Sequence, residues 1–214
     1  MNTKDFKPFK YSNVEKPFEV MFKEQKKIFY KFMEIEKNSM KNYSFDINCY
    51  EDQQLLKDFL QIRFTEELTE ATIDIENLDH FREEMVDAFN FLMETYILYG
   101  YSYKDLEDWK EFDYRDGYMS KKRQGPLTPF STIYIYASFY GVIEQVGKAC
   151  NLLKNRPWKS SQYLVDLFVF EENLKKIWVK FNELCGIVNI NEKDLFEVWS
   201  LKYQVNTFRL KTRY

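Results

Sequence analysis

The sequence predicts an all-α protein, and three observations carry that prediction. Glycine and proline, the residues that punctuate β turns, are absent from Phe18 to Tyr99. Apolar residues in this stretch recur at intervals of three and four, which is the period of an amphipathic helix. The later breaks fall at Gly100, within residues 113–129 and at Asn155–Pro157. A β protein of 214 residues needs many more turn signals than these.

The first helix is predicted to begin near Phe18. Its apolar stripe places a phenylalanine at almost every helical step, with one polar member, Gln25, at the same spacing. The phenylalanines of this stripe are Phe18, Phe22, Phe29 and Phe32. Residues 1–17 are predicted to be an N-terminal extension of a single domain that covers residues 1–214.

Two further helices are predicted before Gly100. One covers roughly Asp52 to Ile75 and the other roughly Asp79 to Tyr99, each with a continuous apolar stripe. Asp79 is the expected N-cap of the latter, because a short acidic side chain satisfies free N–H groups in the first turn. Gly100 is the expected residue after its last turn.

The second half of the chain alternates loops and helices. Residues 113–129 contain two glycines and two prolines, so a loop is expected there. Helices are then predicted over roughly Ser131–Lys154, Ser161–Cys185 and Glu192–Arg209. The sequence Asn155-Arg156-Pro157 separates the first two.

The chain also contains a weak internal repeat. Residues 80–106 align with residues 169–195, and the triplet Lys-Asp-Leu occurs at the same place in both copies. Glu84 and Asp87 of the first copy correspond to Asn173 and Lys176 of the second. We therefore predict a helical bundle with a four-helix core built from two hairpin repeats, of which the second is degenerate and carries no site.

Composition and charge exclude several classes of function. The 31 basic and 34 acidic residues give a net charge of −3, whereas nucleic-acid-binding domains are usually strongly basic. With one histidine, His80, a multi-histidine zinc site cannot form. The three cysteines form no CxxC pair, and no apolar run is long enough to span a membrane. We expect a cytoplasmic protein without a nucleic-acid or membrane partner.

Two acidic motifs are the strongest chemical signal. Glu67 and Glu70 lie three residues apart in the second predicted helix, and Glu84 and Asp87 lie three apart in the third. If the two helices pack antiparallel, the pairs can face each other, and such carboxylates bind Mg²⁺ or Mn²⁺. A di-iron site is excluded because it needs Glu-x-x-His. Each motif alone is more typical of a solvated helix face.

The acidic motifs resemble the signature of the all-α nucleoside-triphosphate pyrophosphatase superfamily, which includes dimeric dUTPases and MazG-like enzymes. The C-terminal pattern Lys202-x3-Asn206-x2-Arg209-x4-Tyr214 is similar to the C-terminal motif of dimeric dUTPases, especially phage members. The run Asn-Arg-Pro-Trp-Lys that ends at Lys159 also looks like phage members. The resemblance covers roughly residues 18–214.

The resemblance implies a Mg²⁺-dependent enzyme that hydrolyses a deoxynucleoside triphosphate, above all dUTP, to the monophosphate and pyrophosphate. It implies a homodimer, located in the host cytoplasm if the chain is phage-encoded. The four motif carboxylates would hold the metal, with Glu67 as the general base. Lys202, Arg209 and Lys159 would contact phosphate. The nucleoside contacts implied are Asn206, Asn90, Gln25 and Tyr214.

Three departures from the family pattern bear on which nucleotide base the enzyme would recognise. The segment between the acidic motifs is short and lacks tryptophan, and Asn90 stands where many members have histidine. Leu210 and Arg213 stand where the family often has Gln and Gly. Two alternatives therefore stay open, namely a pyrophosphatase for dCTP or a purine dNTP, and a non-enzymatic interaction protein that keeps the fold.

Overall fold

The computed structural model describes residues 9–37, 44–107, 129–153, 158 and 166–212. No described residue lies in a β-strand, so the all-α prediction is confirmed. A 3₁₀ turn, Tyr11–Asn13, precedes the first helix. The α-helices are α1 Pro17–Lys37, α2 Tyr50–Lys57, α3 Thr65–Ile73, α4 Leu78–Tyr99, α5 Tyr103–Glu107, α6 Pro129–Leu152, α7 Leu167–Ile187 and α8 Glu192–Thr212. None of these described helices has the length and apolar character that crossing a membrane requires.

Helix α1 begins one residue before the predicted start. Pro17 occupies the first position, where a missing N–H costs nothing and the fixed φ favours the helix. Phe18, Phe22 and Phe29 are buried, as their spacing predicts, and so is Gln25. The polar member of the stripe therefore points into the protein, where its amide needs hydrogen-bond partners.

The second predicted helix is present but is not a uniform α-helix. Between α2 and α3 the chain forms a π-helical segment, Asp58–Phe64. The buried residues Leu56, Leu60, Phe64 and Leu68 lie four apart. In a pure α-helix this spacing drifts around the axis, whereas the wider π turn keeps the residues on one side. The sequence therefore predicted the helix but not its change of winding.

Helix α4 corrects one predicted cap and confirms another. Its N-cap is Asn77, and Asp79 lies inside the first turn, so the predicted N-cap was wrong by two residues. The reason is that the helix starts directly after the turn that follows α3, where the Asn77 carbonyl accepts from the Phe81 N–H at 2.8 Å. Gly100 ends the helix in the left-handed conformation, with φ 101°.

The later helices follow the prediction with one displaced start. Helix α6 and helix α8 begin within two residues of the predicted positions. Helix α7 begins at Leu167 rather than Ser161, because Asp166 is extended and its side chain accepts a hydrogen bond from the Val169 N–H. Of the predicted loop, residues 113–128 lie outside the described residues.

The internal repeat is visible in the backbone. Helices α4 and α7 begin 89 residues apart, and so do α5 and α8. Gly100 and Asn189, which correspond in the repeat, are both left-handed, with φ of 101° and 58°. The Tyr101 N–H bonds to the Tyr96 carbonyl at 2.9 Å, and the equivalent bond joins Ile190 to Cys185 at 2.8 Å. Both copies therefore end their long helix with the same Schellman-type hydrogen bond.

The chain divides into two compact units. The central unit is Phe45–Asn191, and the terminal unit combines the described parts of Met1–Ser44 with Glu192–Tyr214. Within the central unit α3 packs on α4, and α6 packs on α7. An aromatic contact joins the α3–α4 pair to the α6–α7 pair. The Phe89 ring of α4 stacks on the Phe181 ring of α7, with 6.1 Å between the ring centroids. These contacts favour a four-helix core, which stays an interpretation.

Within the terminal unit α1 packs on α8. Residues of the predicted N-terminal extension also take part in this packing. The Phe9 ring lies 5.9 Å from the Trp199 ring, and the Phe9 N–H donates to Ser200 Oγ at 2.7 Å. The segment before Pro17 is therefore held on α8 from Phe9 onward.

Candidate functional site

Three of the four predicted metal ligands come together in the central unit. Glu67 of α3 and Glu84 and Asp87 of α4 each offer a carboxylate oxygen, and these oxygens lie within 4.8 Å of one another. We call these three residues the acidic cluster. Only four residues connect α3 to α4, and a connection this short makes the two helices antiparallel neighbours. The acidic cluster is therefore a product of the helical hairpin.

Glu70 does not join the three oxygens, although it lies one turn after Glu67. Its side chain is exposed at the surface of α3. Its negative charge still acts on Glu67, because it is one of the charges that raise the Glu67 pKa. Glu70 is thus at the edge of the acidic cluster.

The electrostatics of the cluster are unfavourable for three ionised carboxylates. The pKa of Glu67 is raised from 4.5 to about 8, first by burial and then by the charge of Asp87. A hydrogen bond that protonated Glu67 donates to the Glu84 carboxylate contributes in the same direction, as do the charges of Glu70 and Glu84. In the absence of a cation, the cluster therefore retains a proton at neutral pH.

The donor set fits a hard divalent cation. Every ligand atom of the acidic cluster is a carboxylate oxygen, and Mg²⁺ and Mn²⁺ prefer such atoms. The three residues are partly buried, so their mutual repulsion is only weakly screened by solvent. A cation would remove the repulsion that the raised pKa of Glu67 reports.

The basic residue Arg63 lies one helical turn before Glu67 in the chain. Its Nε atom bonds to Asp58 at 2.8 Å, and its guanidinium lies 4.5 Å above the Phe59 ring. Both of these contacts lie within the π-helical segment. Such segments are frequent at functional sites, and this one ends directly before α3, which carries Glu67.

A second group of candidate ligands shares Glu84 with the acidic cluster. Asp74, His80 and Glu84 each place one ligand atom within 4.8 Å of the others. The Asp74 Oδ2 and His80 Nδ1 atoms are 3.8 Å apart, and the imidazole is largely exposed. No motif in the sequence predicts this group. The available signal was that Asp74 and His80 lie at either end of the short α3–α4 connection.

Two buried polar residues on α4 border the cluster in sequence. Asn90 follows Asp87 by one turn and is 6% exposed, and no described residue hydrogen-bonds to its Oδ1 atom. Arg82 is also buried, three residues before the core residue Met85. The family resemblance implies a role for Asn90, whereas no sequence motif includes Arg82. The sequence signal for the burial of Arg82 is its position on the apolar stripe of α4, three residues before Met85.

The other predicted contact residues are distributed differently. Lys202, Asn206 and Arg209 lie on α8 of the terminal unit, where the first two are partly buried and Arg209 is exposed. Gln25 is buried in the same unit and its Oε1 accepts from Trp199 Nε1 at 3.2 Å. The predicted contacts Lys159 and Tyr214 lie outside the described residues, as do Lys154 and Arg156.

The second copy of the repeat carries no such cluster. Asn173, which replaces Glu84, donates its Nδ2 to the Val169 carbonyl of its own helix at 2.8 Å. Lys176, which replaces Asp87, is exposed. Among the described residues, both groups of candidate metal ligands belong to the first copy, to α3 or to the α3–α4 connection. One copy of the hairpin is therefore equipped for cation binding.

Comparisons with known proteins give no relative for this chain. No protein-family model, no curated protein and no solved structure matches it. The functional interpretation therefore depends on the residues themselves and on their geometry.

Proposed function

We propose that this chain is a Mg²⁺-dependent pyrophosphatase that hydrolyses a deoxynucleoside triphosphate, with dUTP as the favoured substrate. The observation that carries the proposal is the acidic cluster, in which Glu67, Glu84 and Asp87 bring their oxygens within 4.8 Å of one another. The choice of a triphosphate and of uracil comes from the resemblance of the sequence motifs.

Glu67, Glu84 and Asp87 would hold the ion, with Glu70 at the edge. Mg²⁺ bound to carboxylates neutralises phosphate charge and lowers the pKa of bound water. In the proposed reaction a water oxygen attacks the α-phosphorus and the bond to the α–β bridging oxygen breaks. The monophosphate and pyrophosphate leave.

Glu67 is the proposed general base, and its environment explains how it would become one. A carboxyl with a pKa of about 8 holds its proton at neutral pH. A positive charge beside it removes the repulsion from Asp87 and Glu84 and so favours the ionised form. Glu67 would then accept the proton of the attacking water at a carboxylate oxygen.

The remaining roles rest on the resemblance. Lys202, Arg209 and Lys159 are proposed to contact phosphate, and Asn206, Asn90 and Tyr214 to contact the nucleoside. Gln25 is proposed to contact the base, and in the terminal unit its Oε1 accepts a hydrogen bond from Trp199 Nε1. A cytoplasmic location is proposed with the activity, in the host if the chain is phage-encoded.

A substrate screen tests the reaction. Purified protein is incubated with each common dNTP and Mg²⁺, and pyrophosphate release is measured with and without EDTA. We expect hydrolysis, fastest for dUTP, that stops on chelation. Turnover that survives thorough chelation contradicts the magnesium mechanism. Absence of hydrolysis together with absence of Mg²⁺ binding favours the non-enzymatic alternative.

Two matched variants then assign the activity to the cluster. Glu67→Gln should lower kcat by roughly 10²-fold or more, because it removes both a ligand and the base. Glu66→Gln changes the adjacent, exposed carboxylate and should leave kcat unchanged.

A third variant tests the second copy of the repeat. Lys176→Ala should also leave kcat unchanged. A large loss of kcat in Lys176→Ala with normal folding would mean that the second copy helps to build the site.

A further inference from the structure

Arg63 makes an ion pair whose spacing does not suit an α-helix. Its Nε atom bonds to Asp58 Oδ2 at 2.8 Å, five residues back in the chain. Residues five apart lie about 140° apart around an α-helix and do not face each other. In a π-helix the hydrogen bonds join residues five apart, so the same two residues lie one above the other. The Asp58–Arg63 pair therefore fits the π winding and not the α winding.

Another contact of Arg63 connects the π-helical segment to α4. Its guanidinium lies 4.5 Å from the centroid of the Phe59 ring. Phe59 is buried and meets Phe91 of α4 edge to face, with 6.4 Å between the ring centroids. Phe91 follows Asp87 by four residues and Glu84 by seven, so it lies on the face of α4 that carries both carboxylates. One ring contact therefore links Arg63 to the ligand-bearing face of α4.

The π winding changes to the α winding directly before Glu67. At this junction the Thr65 N–H bonds to the Ile62 carbonyl, three residues back. The Thr65 hydroxyl donates to the Gln61 carbonyl at 2.5 Å, four residues back. Glu67 follows Thr65 by two residues in the first turn of α3. The winding of the segment therefore determines the direction in which Glu67 leaves α3.

The winding also determines which glutamate faces α4. A π turn takes about one residue more than an α turn, and one residue corresponds to about 100° around the axis. If Asp58–Phe64 were wound as an α-helix, α3 would be turned by about that angle relative to α2. Glu66, which is exposed, would then take the direction that Glu67 has in the structure. The acidic cluster therefore requires the π winding.

We propose that Arg63 is a positioning residue for Glu67. The buried stripe of the segment favours the π winding from the core side. Arg63 and Asp58, whose side chains are 27% and 35% exposed, stabilise the same winding by pairing on the partly exposed side. Through this winding Arg63 directs Glu67 into the acidic cluster without touching ion or substrate. The inference rests on the proposed function, because it concerns the ligand and base of the same site.

Calorimetric titration with Mg²⁺ tests this role. Arg63→Gln should weaken Mg²⁺ binding by about 10-fold, because it removes both the ion pair and the contact with the Phe59 ring. The sign is diagnostic, since loss of a positive charge near a cation site by itself strengthens cation binding. Lys57→Gln, which removes a positive charge at the end of α2, is the matched control and should not weaken binding. Circular dichroism confirms that each variant is folded.

A charge swap tests the pair itself. Asp58→Asn should weaken Mg²⁺ binding, and so should Asp58→Arg alone. The double variant Asp58→Arg with Arg63→Asp restores opposite charges five residues apart and should bind Mg²⁺ within about 3-fold of wild type. A general loss of packing would not be recovered in this way. Arg63→Lys keeps the charge but loses the planar guanidinium, so it should weaken binding less than Arg63→Gln.

Disulfide trapping tests the direction of α3 without a metal. In a Cys49→Ser background, with EDTA and oxidised glutathione, Glu67→Cys with Asp87→Cys should cross-link faster than Glu66→Cys with Asp87→Cys. Adding Arg63→Gln should lower this preference by about 5-fold or more, because the α-wound form becomes more populated. An unchanged preference overturns the proposal.

The two measurements separate this inference from the proposed function. Wild type that binds no Mg²⁺ contradicts the proposed hydrolysis, whereas the trapping preference still decides whether Arg63 directs Glu67. Wild type that binds Mg²⁺, together with an Arg63→Gln variant that binds it equally well or more tightly, overturns the positioning role alone.

Discussion

At the scale of single residues, the protonation of Glu67 couples the acidic cluster to the stability of the protein. Its pKa of about 8 in the folded state lies above the ordinary value of 4.5. Between these values the folded protein holds a proton that the unfolded chain releases. The stability that this proton provides is complete below about pH 4.5 and is lost as the pH rises through about 8.

We therefore predict that Glu67→Gln flattens the pH dependence of stability. In EDTA, the melting temperature of wild type should fall as the pH is raised from 5 to 9, and that of Glu67→Gln should fall less. Glu66→Gln, with its exposed side chain, should keep the wild-type slope. Equal slopes in wild type and Glu67→Gln would mean that Glu67 titrates normally and that the repulsion in the cluster is small.

The substitution Asp87→Asn distinguishes an effect on ion binding from an effect on folding, because asparagine keeps the shape of the side chain and removes only its charge. Asp87→Asn should bind Mg²⁺ more weakly and show a much smaller rise in melting temperature with Mg²⁺ than wild type. Without Mg²⁺ its stability should be unchanged or higher, since one charge of a repelling group is removed. Asp79→Asn, on the exposed first turn of α4, is the control. Identical Mg²⁺ responses in wild type and Asp87→Asn would exclude Asp87 from the site.

At the scale of the elements, the two copies of the repeat kept the same helix ending but not the same chemistry. Gly100 and Asn189 adopt the left-handed conformation at equivalent positions, and each is followed by the same type of hydrogen bond back to the helix. The ending is retained because it fixes where the backbone turns. The acidic side chains are not kept: Asn173 and Lys176 stand at the positions of Glu84 and Asp87, and α7 is helical with them.

We predict that Gly100→Ala destabilises the protein by about 1 kcal/mol or more, because a Cβ is strained at φ 101° although it would meet no atom. Gly141→Ala should have the opposite sign and stabilise by roughly 0.5–1 kcal/mol, since Gly141 lies inside α6 with open space around its Cα. Urea unfolding measures both changes. A neutral or stabilising Gly100→Ala would show that the left-handed turn is not required.

At the scale of the whole molecule, the two compact units raise the question of how the chain unfolds. The terminal unit has two long helices and a short N-terminal segment, and a helix pair of this size is only marginally stable alone. We predict one cooperative transition for residues 1–214, as expected of a single domain. The ¹⁹F signals of fluorinated Trp178 and Trp199, buried in different units, should disappear at the same urea concentration. Separate midpoints would make the units two domains.

The sequence by itself determined the fold class and most helix positions, because both depend on local periodicity and on where glycine and proline occur. The stripes that contain Phe64 and Met85 are buried as their spacing predicts. The internal repeat could also be recognised from the sequence, because matched residues recur at a fixed offset along the chain. Gly100 could be assigned because a left-handed turn favours glycine.

Only the tertiary structure decided which polar residues meet. Glu67 and Glu70 are equivalent in the sequence pattern, yet Glu67 approaches Glu84 and Asp87 and Glu70 stays exposed. The difference arises because the rotation of α3 against α4 depends on core packing between the helices, which no local pattern encodes. The π-helical winding of Asp58–Phe64 has the same origin, since burial of residues four apart decides it.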